Sequence, residues 1–322
     1  MRRHTGSVLT AYITHPSCER HDMGEGHPEC PERLHALSDH LLIKGLMDCV
    51  QPHDAPPATR EQLLRVHGAP WLDQLERLAP PRGAVDEAGR PLHVRLDADT
   101  QLNAWTLEAA RHAAGAAVLA VDLVMGGAAP NAFCAVRPPG HHAKRAQGAG
   151  FCFFNNASVA VAHALAAHGL TRVALVDFDV HHGDGSEDIW AGDARVLLCS
   201  SFQRDLYPFR GDAPAAPNVV LAPLPARSGG QPMREAIQTH WLPALAAFAP
   251  QLIVVSAGFD AHREDEMGNL GWVEADYAWL TQRILEQARA SAQGRVVSLL
   301  EGGYALSALA RSAAAHLREL VQ

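Results

Sequence analysis

The chain is poor in basic residues. Its 27 lysines and arginines stand against 35 aspartates and glutamates, which gives a formal net charge of −8 at pH 7. A nucleic-acid-binding surface needs a basic patch, and the only compact basic stretches are Met1-Arg2-Arg3 and Lys144-Arg145. Both stretches are too small for that purpose, so we expect no nucleic-acid partner.

Long apolar runs and paired cysteines are also missing. No run approaches the roughly 20 residues that cross a bilayer, and the amino terminus lacks the apolar segment of a secretion signal. Six cysteines occur without CxxC pairs or scaffold spacing, namely Cys18, Cys30, Cys49, Cys134, Cys152 and Cys199. Buried, reduced thiols are typical of cytoplasmic proteins. We therefore expect no membrane association and a cytoplasmic location.

The chain does contain a regular alternation of apolar strands and helices. Strands are predicted at 8–13, 132–136, 172–178, 195–199, 218–222, 252–256 and 295–299. Helices are predicted from Pro31 onward and over 103–125, 157–168, 232–248, 273–290 and 305–320, whereas 50–60 and 80–100 are predicted as loops. Continuously apolar strands between helices indicate an α/β fold with a mostly parallel central sheet and helices on both faces. No boundary is marked, so we expect one domain over residues 1–322.

One strand ends in a cluster of carboxylates and imidazoles. The apolar run Val173–Val176 is followed by Asp177, Asp179, His181 and Asp184. Ligands bind at the carboxyl ends of strands in open α/β sheets, and residues two apart in extended chain point the same way. A mixed Asp/His set suits zinc with an open catalytic position. A capping aspartate with solvated histidines is the ordinary alternative, but so many such residues after an apolar strand favour a metal site.

Three further clusters follow predicted strands. They are Arg137-Pro-Pro-Gly-His141-His142, Ser256-Ala-Gly-Phe-Asp260 and Glu301-Gly-Gly303-Tyr304. Together with the first cluster they resemble the zinc-dependent histone deacetylase family, in particular its class II-like bacterial deacetylases and acetylpolyamine amidohydrolases. The resemblance runs from about His15 to Tyr304. It implies the single-domain fold that these enzymes share with the arginases, and the removal of acyl groups from lysine by metal-activated water.

The resemblance also implies a role for each cluster. Asp179, His181 and Asp260 match the three ligands of one zinc ion. His142 matches the general base that later protonates the leaving amine, and His141 matches the histidine that gives electrostatic help.

Three more residues complete the implied catalytic set. Asp177 would orient His141, and Asp184 would orient His142. Tyr304 matches the tyrosine whose hydroxyl donates to the developing oxyanion. On its own, Tyr304 would be interpreted as an aromatic that packs after a Gly-Gly turn.

A narrow apolar tunnel for the lysine stem is implied as well. Its expected lining residues are Gly150, Phe151, Tyr207, Met267 and Gly303. Tyr207 is the weakest match, because its loop departs from the usual Phe-Phe-Pro-Gly form. Phe153 and Phe154 are interpreted as core. The loop from Cys18 to Glu32 resembles the family's first active-site loop, and both peptide binding and plain solvation remain open for its polar residues.

The family also binds potassium, and matching positions are present. An inner potassium site would use Asp177, Asp179, His181, Ser200 and Ser201, largely through backbone oxygens. An outer site would fall near Trp190, Asp193, Val196 and Asn218.

Several alternatives stay open. A dinuclear manganese ureohydrolase would need an Asp-x-Asp pair, but Asp260 is alone in register. A silent acyl-lysine reader is disfavoured because Tyr304 is present.

The substrate could be an acylated lysine of a protein or peptide, or a small acetylated amine. Polyamine-selective relatives carry a glutamate seven residues after the last zinc-binding aspartate, and here that residue is Met267, which favours acyl-lysine. A homo-oligomer is possible.

Overall fold

The computed structural model describes residues 8–322 and is built on an eight-stranded sheet. The strands are β1 (Thr10–Thr14), β2 (Val50–Asp54), β5 (Ala132–Cys134), β6 (Val173–Asp177), β7 (Val196–Gln203), β8 (Val219–Leu224), β9 (Leu252–Ala257) and β10 (Val296–Leu300). Their order is β2-β1-β5-β10-β9-β6-β7-β8, and all neighbouring pairs are parallel. Two short strands, β3 (Val94–Arg95) and β4 (Gln101–Leu102), form a separate antiparallel pair.

Helices flank the sheet. They are α1 (Glu32–Ile43), α2 (Arg60–Leu64), α3 (Ala69–Leu78), α4 (Thr106–Met125), α5 (Asn156–Ala167), α6 (Asp184–Trp190), α7 (Gly230–Ala236), α8 (Leu242–Phe248), α9 (Glu274–Ser291) and α10 (Leu306–Leu320). A π-helical segment, Ile237–Trp241, joins α7 to α8. Within residues 8–322, no helix has the length and apolar character needed to cross a membrane.

The centre of the sheet is covered on both faces. Every residue of β6, β9 and β10 is buried, although successive side chains of a strand point to opposite faces. Helix α4 packs on α5, and both contact the sheet, while α9 packs on α10 and α10 on α1. Gly115 lets α4 pack closely against the segment that follows β2, since a Cβ on Gly115 would lie 1.8 Å from the carbonyl oxygen of Pro56. The predicted α/β architecture with a parallel sheet is thus confirmed.

The predicted loops at 50–60 and 80–100 are partly wrong. Residues 50–54 form the edge strand β2, and 94–95 form β3. Of the five residues of β2 only Val50 is buried, and Pro52 interrupts the run, so this strand carries no apolar alternation. Its pairing with β1 supplies the order that its own sequence does not indicate. Pro31 is the N-cap of α1 rather than its first residue.

The order of the strands determines where the polar clusters meet. The cluster at 137–142 follows β5, that at 301–304 follows β10, that at 258–260 follows β9, and the first cluster follows β6. These four strands are consecutive neighbours in the sheet. Because parallel strands end at the same edge, all four clusters converge above the middle of the sheet.

Candidate active site

Two aspartates and a histidine form the centre of the site. The Nδ1 atom of His181 lies 3.0 Å from Oδ1 of Asp179 and 3.3 Å from Oδ2 of Asp260. All three residues are buried, and one ligand atom from each lies within 4.8 Å of the others. Among the described residues, Oδ2 of Asp260 is buried without a hydrogen-bond partner. A buried, unpaired carboxylate oxygen beside an imidazole and a second carboxylate fits one zinc-like cation.

The electrostatics of this centre favour a bound positive charge. Burial and the neighbouring Asp179 raise the pKa of Asp260 to about 7. Burial acts against protonation of His181, but the two carboxylates outweigh it and raise the pKa of His181 to about 10. The two carboxylates thus favour positive charge between them, which is the charge that a bound cation would supply.

Two glycines allow the backbone to approach the carboxylates. A Cβ on Gly258 would lie 2.1 Å from Oδ2 of Asp179, and one on Gly302 would lie 2.1 Å from Oδ2 of Asp260. The backbone N–H of Gly302 donates to Oδ2 of Asp179 at 2.8 Å, and that of Val180 donates to Oδ1 of Asp260 at 2.8 Å. The outer oxygens of both aspartates are thereby fixed by backbone, which orients the remaining oxygens.

The tandem histidines lie beside this centre. Nδ1 of His141 is 3.0 Å from Oδ2 of Asp177, and Nδ1 of His142 is 2.8 Å from Oδ1 of Asp184. The two ring centroids are 4.1 Å apart, and Nε2 of His141 lies 3.8 Å from Oδ2 of Asp179. With Nδ1 held by a carboxylate, each ring keeps Nε2 available for the site.

The two histidines differ in their affinity for a proton. Burial opposes charge on His141, but Asp179 and Asp177 outweigh it and hold the pKa of His141 above its usual range. Burial and the adjacent His141 lower the pKa of His142 to about 3, although Asp184 acts in the opposite direction. The environment thus favours a charged His141 and a neutral His142.

Glu301 supports the histidine pair, a role that the sequence motifs did not predict. Its Oε2 accepts from the backbone N–H groups of Gly140 at 2.6 Å and His141 at 3.1 Å. Its Oε1 accepts from the hydroxyl of Ser256 at 3.1 Å. Burial raises the pKa of Glu301 to about 7, although the facing His141 lowers it. A carboxylate directly after the mostly apolar strand β10 was the sequence signal for this role.

A buried ionic cluster below the site was not predicted. Glu29 accepts from Nη2 of Arg137 at 2.6 Å and from Nη1 of Arg33 at 3.0 Å, and all three side chains are fully buried. Burial alone would raise the pKa of Glu29, but Arg137, His21 and Arg33 outweigh it and hold that pKa far below its usual range. Neither solvation nor peptide binding, the two roles left open for this loop, applies to Glu29.

Tyr304 lies against this cluster and is held by a second unpredicted residue. The guanidinium of Arg33 lies 4.9 Å from the centre of the Tyr304 ring, and Nε of Arg33 donates to the carbonyl of Gly303 at 2.7 Å. Asp265 accepts the backbone N–H of Tyr304 at 2.6 Å and, with its other oxygen, that of Met267 at 3.0 Å. Asp265 therefore ties together the two loops that carry Tyr304 and Met267.

Two predicted wall residues lie directly over the histidines. A Cβ on Gly150 would lie 2.6 Å from the ring of His142 and 3.1 Å from that of Tyr207. The Tyr207 ring centroid is 5.0 Å from that of His142 and 6.3 Å from that of His181. The structure thus brings Tyr207 to the site despite its unusual loop.

The other predicted wall residues surround Tyr304. The ring of Phe151 is 5.8 Å from that of Tyr304. Gly303, at φ 118°, precedes Tyr304, and half-buried Met267 lines a cavity of about 290 Å³ beside it. Phe153 and Phe154 are buried in the core, as expected.

The residues expected at the inner potassium site are neighbours. Asp177 and Ser200 are paired across β6 and β7, and Asp177 Oδ1 accepts the N–H of Asp179 at 3.1 Å. The hydroxyl of Ser201 is buried without a hydrogen-bond partner in the described part of the chain. His181, two residues after Asp179, is the last member of this group, and its N–H donates to Oδ1 of Asp179 at 3.0 Å.

The carbonyls of the expected outer potassium site converge on the side-chain amide of Asn218. Nδ2 of Asn218 donates to the carbonyls of Trp190, Asp193 and Val196 at 2.8, 3.2 and 2.9 Å. The N–H of Gly192 donates to Oδ1 of Asn218 at 2.8 Å, which fixes the orientation of the amide. These residues do not fit a cation, because the amide nitrogen stands where one would be bound.

Comparison with known proteins agrees with the resemblance inferred from the motifs. Residues 27–320 match the family model described as Histone deacetylase domain. The chain is 38% identical over 287 residues to a histone deacetylase-like amidohydrolase of Pseudomonas aeruginosa, covering 87% of this chain and 73% of that protein. It is 38% identical over 301 residues to the human polyamine deacetylase HDAC10, covering 88% of this chain and 44% of that protein. A crystal structure of the HDA15 HD domain superimposes with a TM-score of 0.88 at 30% identity, covering 97% of this chain and 90% of that one.

Proposed function

The chain belongs to the histone deacetylase family, and from that premise we propose that it is a zinc-dependent deacetylase that removes acetyl or other acyl groups from lysine side chains of proteins. The proposed catalytic domain is the single unit of residues 1–322. The observation that carries the proposal is the buried group of Asp179, His181 and Asp260 beside two carboxylate-held histidines.

Asp179, His181 and Asp260 would hold one zinc ion. Bound zinc supplies Lewis-acid chemistry, since it polarises an amide carbonyl and lowers the pKa of water. Nδ1 of His181 faces both carboxylates, and Oδ2 of Asp260 lacks another partner among the described residues, which supports this donor set. The inner group of Asp177, Asp179, His181, Ser200 and Ser201 would hold a potassium ion in a structural role.

The two histidines would move and stabilise protons. Nε2 of His142 would accept the proton of the attacking water and return it to the leaving amine, while Asp184 holds the Nδ1–H. Asp177 fixes the ring of His141 in the same way. A charged His141 beside the reacting carbonyl would favour the developing negative charge.

The hydroxyl of Tyr304 would donate a hydrogen bond to the oxyanion. Burial raises the pKa of Tyr304 well above its usual value, although Arg33 acts against this, so the hydroxyl keeps its proton. The contact of the ring with Arg33 and the two backbone bonds to Asp265 hold the tyrosine in position.

The walls would select an alkyl stem. Phe151, Tyr207, Gly150, Met267 and Gly303 would form these walls, and their contacts with His142 and Tyr304 support that role. A four-carbon lysine stem gains free energy when it is buried against such walls, and the burial carries its amide toward the histidines.

An acetylpolyamine amidohydrolase is the second candidate. The similarity to a polyamine deacetylase favours it, as do the half-buried Asp97 and the exposed Asp99, which both bond to Thr100, whose hydroxyl accepts the N–H of Phe151. Met267, an apolar residue beside Tyr304, favours acyl-lysine instead. A dinuclear ureohydrolase is disfavoured, because His262 stands where the second aspartate of an Asp-x-Asp pair would follow Asp260. Nδ1 of His262 accepts from the N–H of Glu264 at 3.2 Å, and its Nε2 faces Glu274.

All six cysteines are free thiols, which supports a reducing cytoplasmic location for the enzyme.

An activity panel tests the function directly. The purified protein should release acetate from acetyl-lysine peptides with a higher kcat/KM than from acetylspermidine, and longer acyl-lysines should define its acyl preference. A higher kcat/KM on acetylspermidine would establish the second candidate, and release of neither product would refute both.

A further inference from the structure

Phe209 is a large apolar side chain exposed at the rim of the tunnel. Its exposed fraction is 78%, and its ring is 6.4 Å from that of Tyr207 in an edge-to-face arrangement. Single exposed apolar residues are common on protein surfaces, so exposure alone has no functional meaning. The backbone and the surrounding loop supply the further evidence.

The backbone at Phe209 is strained. Its φ is 59°, in the left-handed region that bulky residues avoid. Within residues 8–322, the only other aromatic residue with positive φ is Phe151, at 68°, and Phe151 lines the tunnel. Such strain persists where the surrounding structure imposes it, and it concentrates at ligand-binding sites. Both strained aromatics thus belong to the same entrance.

The loop around Phe209 is tied down on both sides. Nη2 of Arg210, the next residue, donates to Oε1 of Glu187 at 2.5 Å, and the same oxygen accepts the N–H of Ala215 at 3.0 Å. Arg204 and Asp212 form an ion pair at 2.7 Å across the base of the loop. The loop that carries the exposed phenyl ring is therefore anchored on both sides of Phe209.

We propose that Phe209 is a specificity-determining residue that receives an apolar side chain next to the acyl-lysine of a peptide substrate. The inference rests on the proposed function. When the lysine stem fills the tunnel, the peptide backbone lies at the rim, and the adjacent residues are only about 3.3–3.8 Å further along the chain. The ring of Phe209 lies 6.4 Å from that of Tyr207 and is exposed to solvent, so a side chain next to the acyl-lysine can contact it. A polyamine offers no apolar branch at this point.

The test compares substrates and variants. The substrates are capped acetyl-lysine without neighbours, acetyl-lysine peptides with leucine or serine on the amino or carboxyl side, and acetylspermidine. For Phe209→Gly, kcat/KM on the preferred leucine peptide should fall roughly five- to tenfold, mainly through KM, because a partial apolar contact is lost. The values for the serine peptides, capped acetyl-lysine and acetylspermidine should stay unchanged. Phe209→Tyr should retain the leucine preference.

Two controls separate this effect from folding. Ile43→Ser removes a side chain that is 80% exposed at the end of α1 and should change no substrate. The Tm of Phe209→Gly should not fall, since glycine accepts a positive φ without strain.

Several outcomes would overturn the inference. Equal wild-type kcat/KM on the leucine and serine peptides would do so, as would an equal loss on capped acetyl-lysine in Phe209→Gly. A comparable loss on acetylspermidine would mean that the ring contacts an ammonium group instead. Hydrolysis of capped acetyl-lysine reports the proposed function separately, and its absence in the wild type would refute both.

Discussion

At Tyr304, the contacts that position the side chain are distinct from the hydroxyl that is proposed to act in catalysis. The ring is held by Arg33, and the backbone is held by Asp265, so the position of the side chain does not depend on the oxygen. In the described part of the chain, no hydrogen bond is made by the Tyr304 hydroxyl. Its proposed role can therefore be tested without disturbing the fold.

Tyr304→Phe should lower kcat by about 10²–10³ with little change in the free energy of unfolding, because one donor to the oxyanion is removed. Steady-state kinetics and urea denaturation would measure both quantities. Tyr277→Phe is a matched control, since Tyr277 is a fully buried tyrosine whose hydroxyl also lacks a partner among the described residues. Near wild-type turnover in Tyr304→Phe would contradict the assigned role.

At the scale of secondary-structure elements, one buried histidine joins the loop that follows β5 to the start of α5. His67 accepts the backbone N–H of Asn155 through Nε2 at 3.0 Å, and its Nδ1 faces the carbonyl of Lys144 at 2.9 Å. Asn155 caps α5 by accepting the N–H of Ser158 at 2.9 Å. Both ring nitrogens are satisfied only when His67 is neutral.

Burial lowers the pKa of His67 to about 4. A depressed histidine pKa means that the unfolded chain binds the proton first, so the contribution to stability is complete above the unfolded pKa of about 6.5 and is lost as the pH falls toward 4. At pH 5 the loss should be about 2 kcal/mol. His67→Gln should reduce the difference in unfolding free energy between pH 7 and pH 5 by that amount in urea titrations. An unchanged difference would contradict the assignment.

Asn218 acts at the same scale, because its amide connects the end of α6 to the beginnings of β7 and β8. Its amide nitrogen lies within hydrogen-bond distance of the carbonyls of Trp190, Asp193 and Val196, at the place where a cation would be bound, and the N–H of Gly192 fixes the amide there. Crystals soaked in thallium, a heavy substitute for potassium, should show one monovalent site per chain in the wild type and a second at these carbonyls in Asn218→Ala. Thallium at the carbonyls in the wild type would show that the amide gives way to the cation.

For the whole molecule, metal content and activity should change together. Chelation should abolish amide hydrolysis, zinc should restore it, and Asp179→Ala should lose both the metal and the activity. Because a metal that binds only the folded state stabilises it, the wild type should also gain about 2.7 kcal/mol at a free zinc concentration 100 times Kd. Metal analysis and thermal melting would measure these effects.

The chain offers a matched control for this experiment. Asp122, His163 and His168 form another group with metal-ligand chemistry, but Asp122 is half exposed, and the group joins α4, which carries Asp122, to the end of α5 rather than to the four strands that carry the site. Asp122→Ala should leave one zinc per chain and full activity. Two tightly held manganese ions per wild-type chain would contradict the mononuclear assignment.

The sequence alone determined the fold class and the central residues of the site. Alternating apolar strands and helices are local patterns, and parallel strands must end at one edge of the sheet. Polar clusters that follow such strands therefore lie along one edge of the sheet, and the strand order of the folded chain makes the four of them neighbours. The strand-end position indicated Asp179 and His181, and the resemblance of the motifs to the histone deacetylase family added Asp260, His141 and His142; the folded chain brings these residues together.

Only the tertiary structure decided what surrounds these residues. Glu29 and Arg137 lie 108 positions apart, and a charge can be buried only when its partner is brought to it, which no local pattern reveals. Asp265 acquires its role from loops that meet in space, and β2 becomes a strand because β1 offers it an edge. The loop that carries Phe209 is likewise anchored by contacts of its neighbours with Glu187 and Asp212. Contacts between distant residues set these features, because their free energy exists only once the chain is folded.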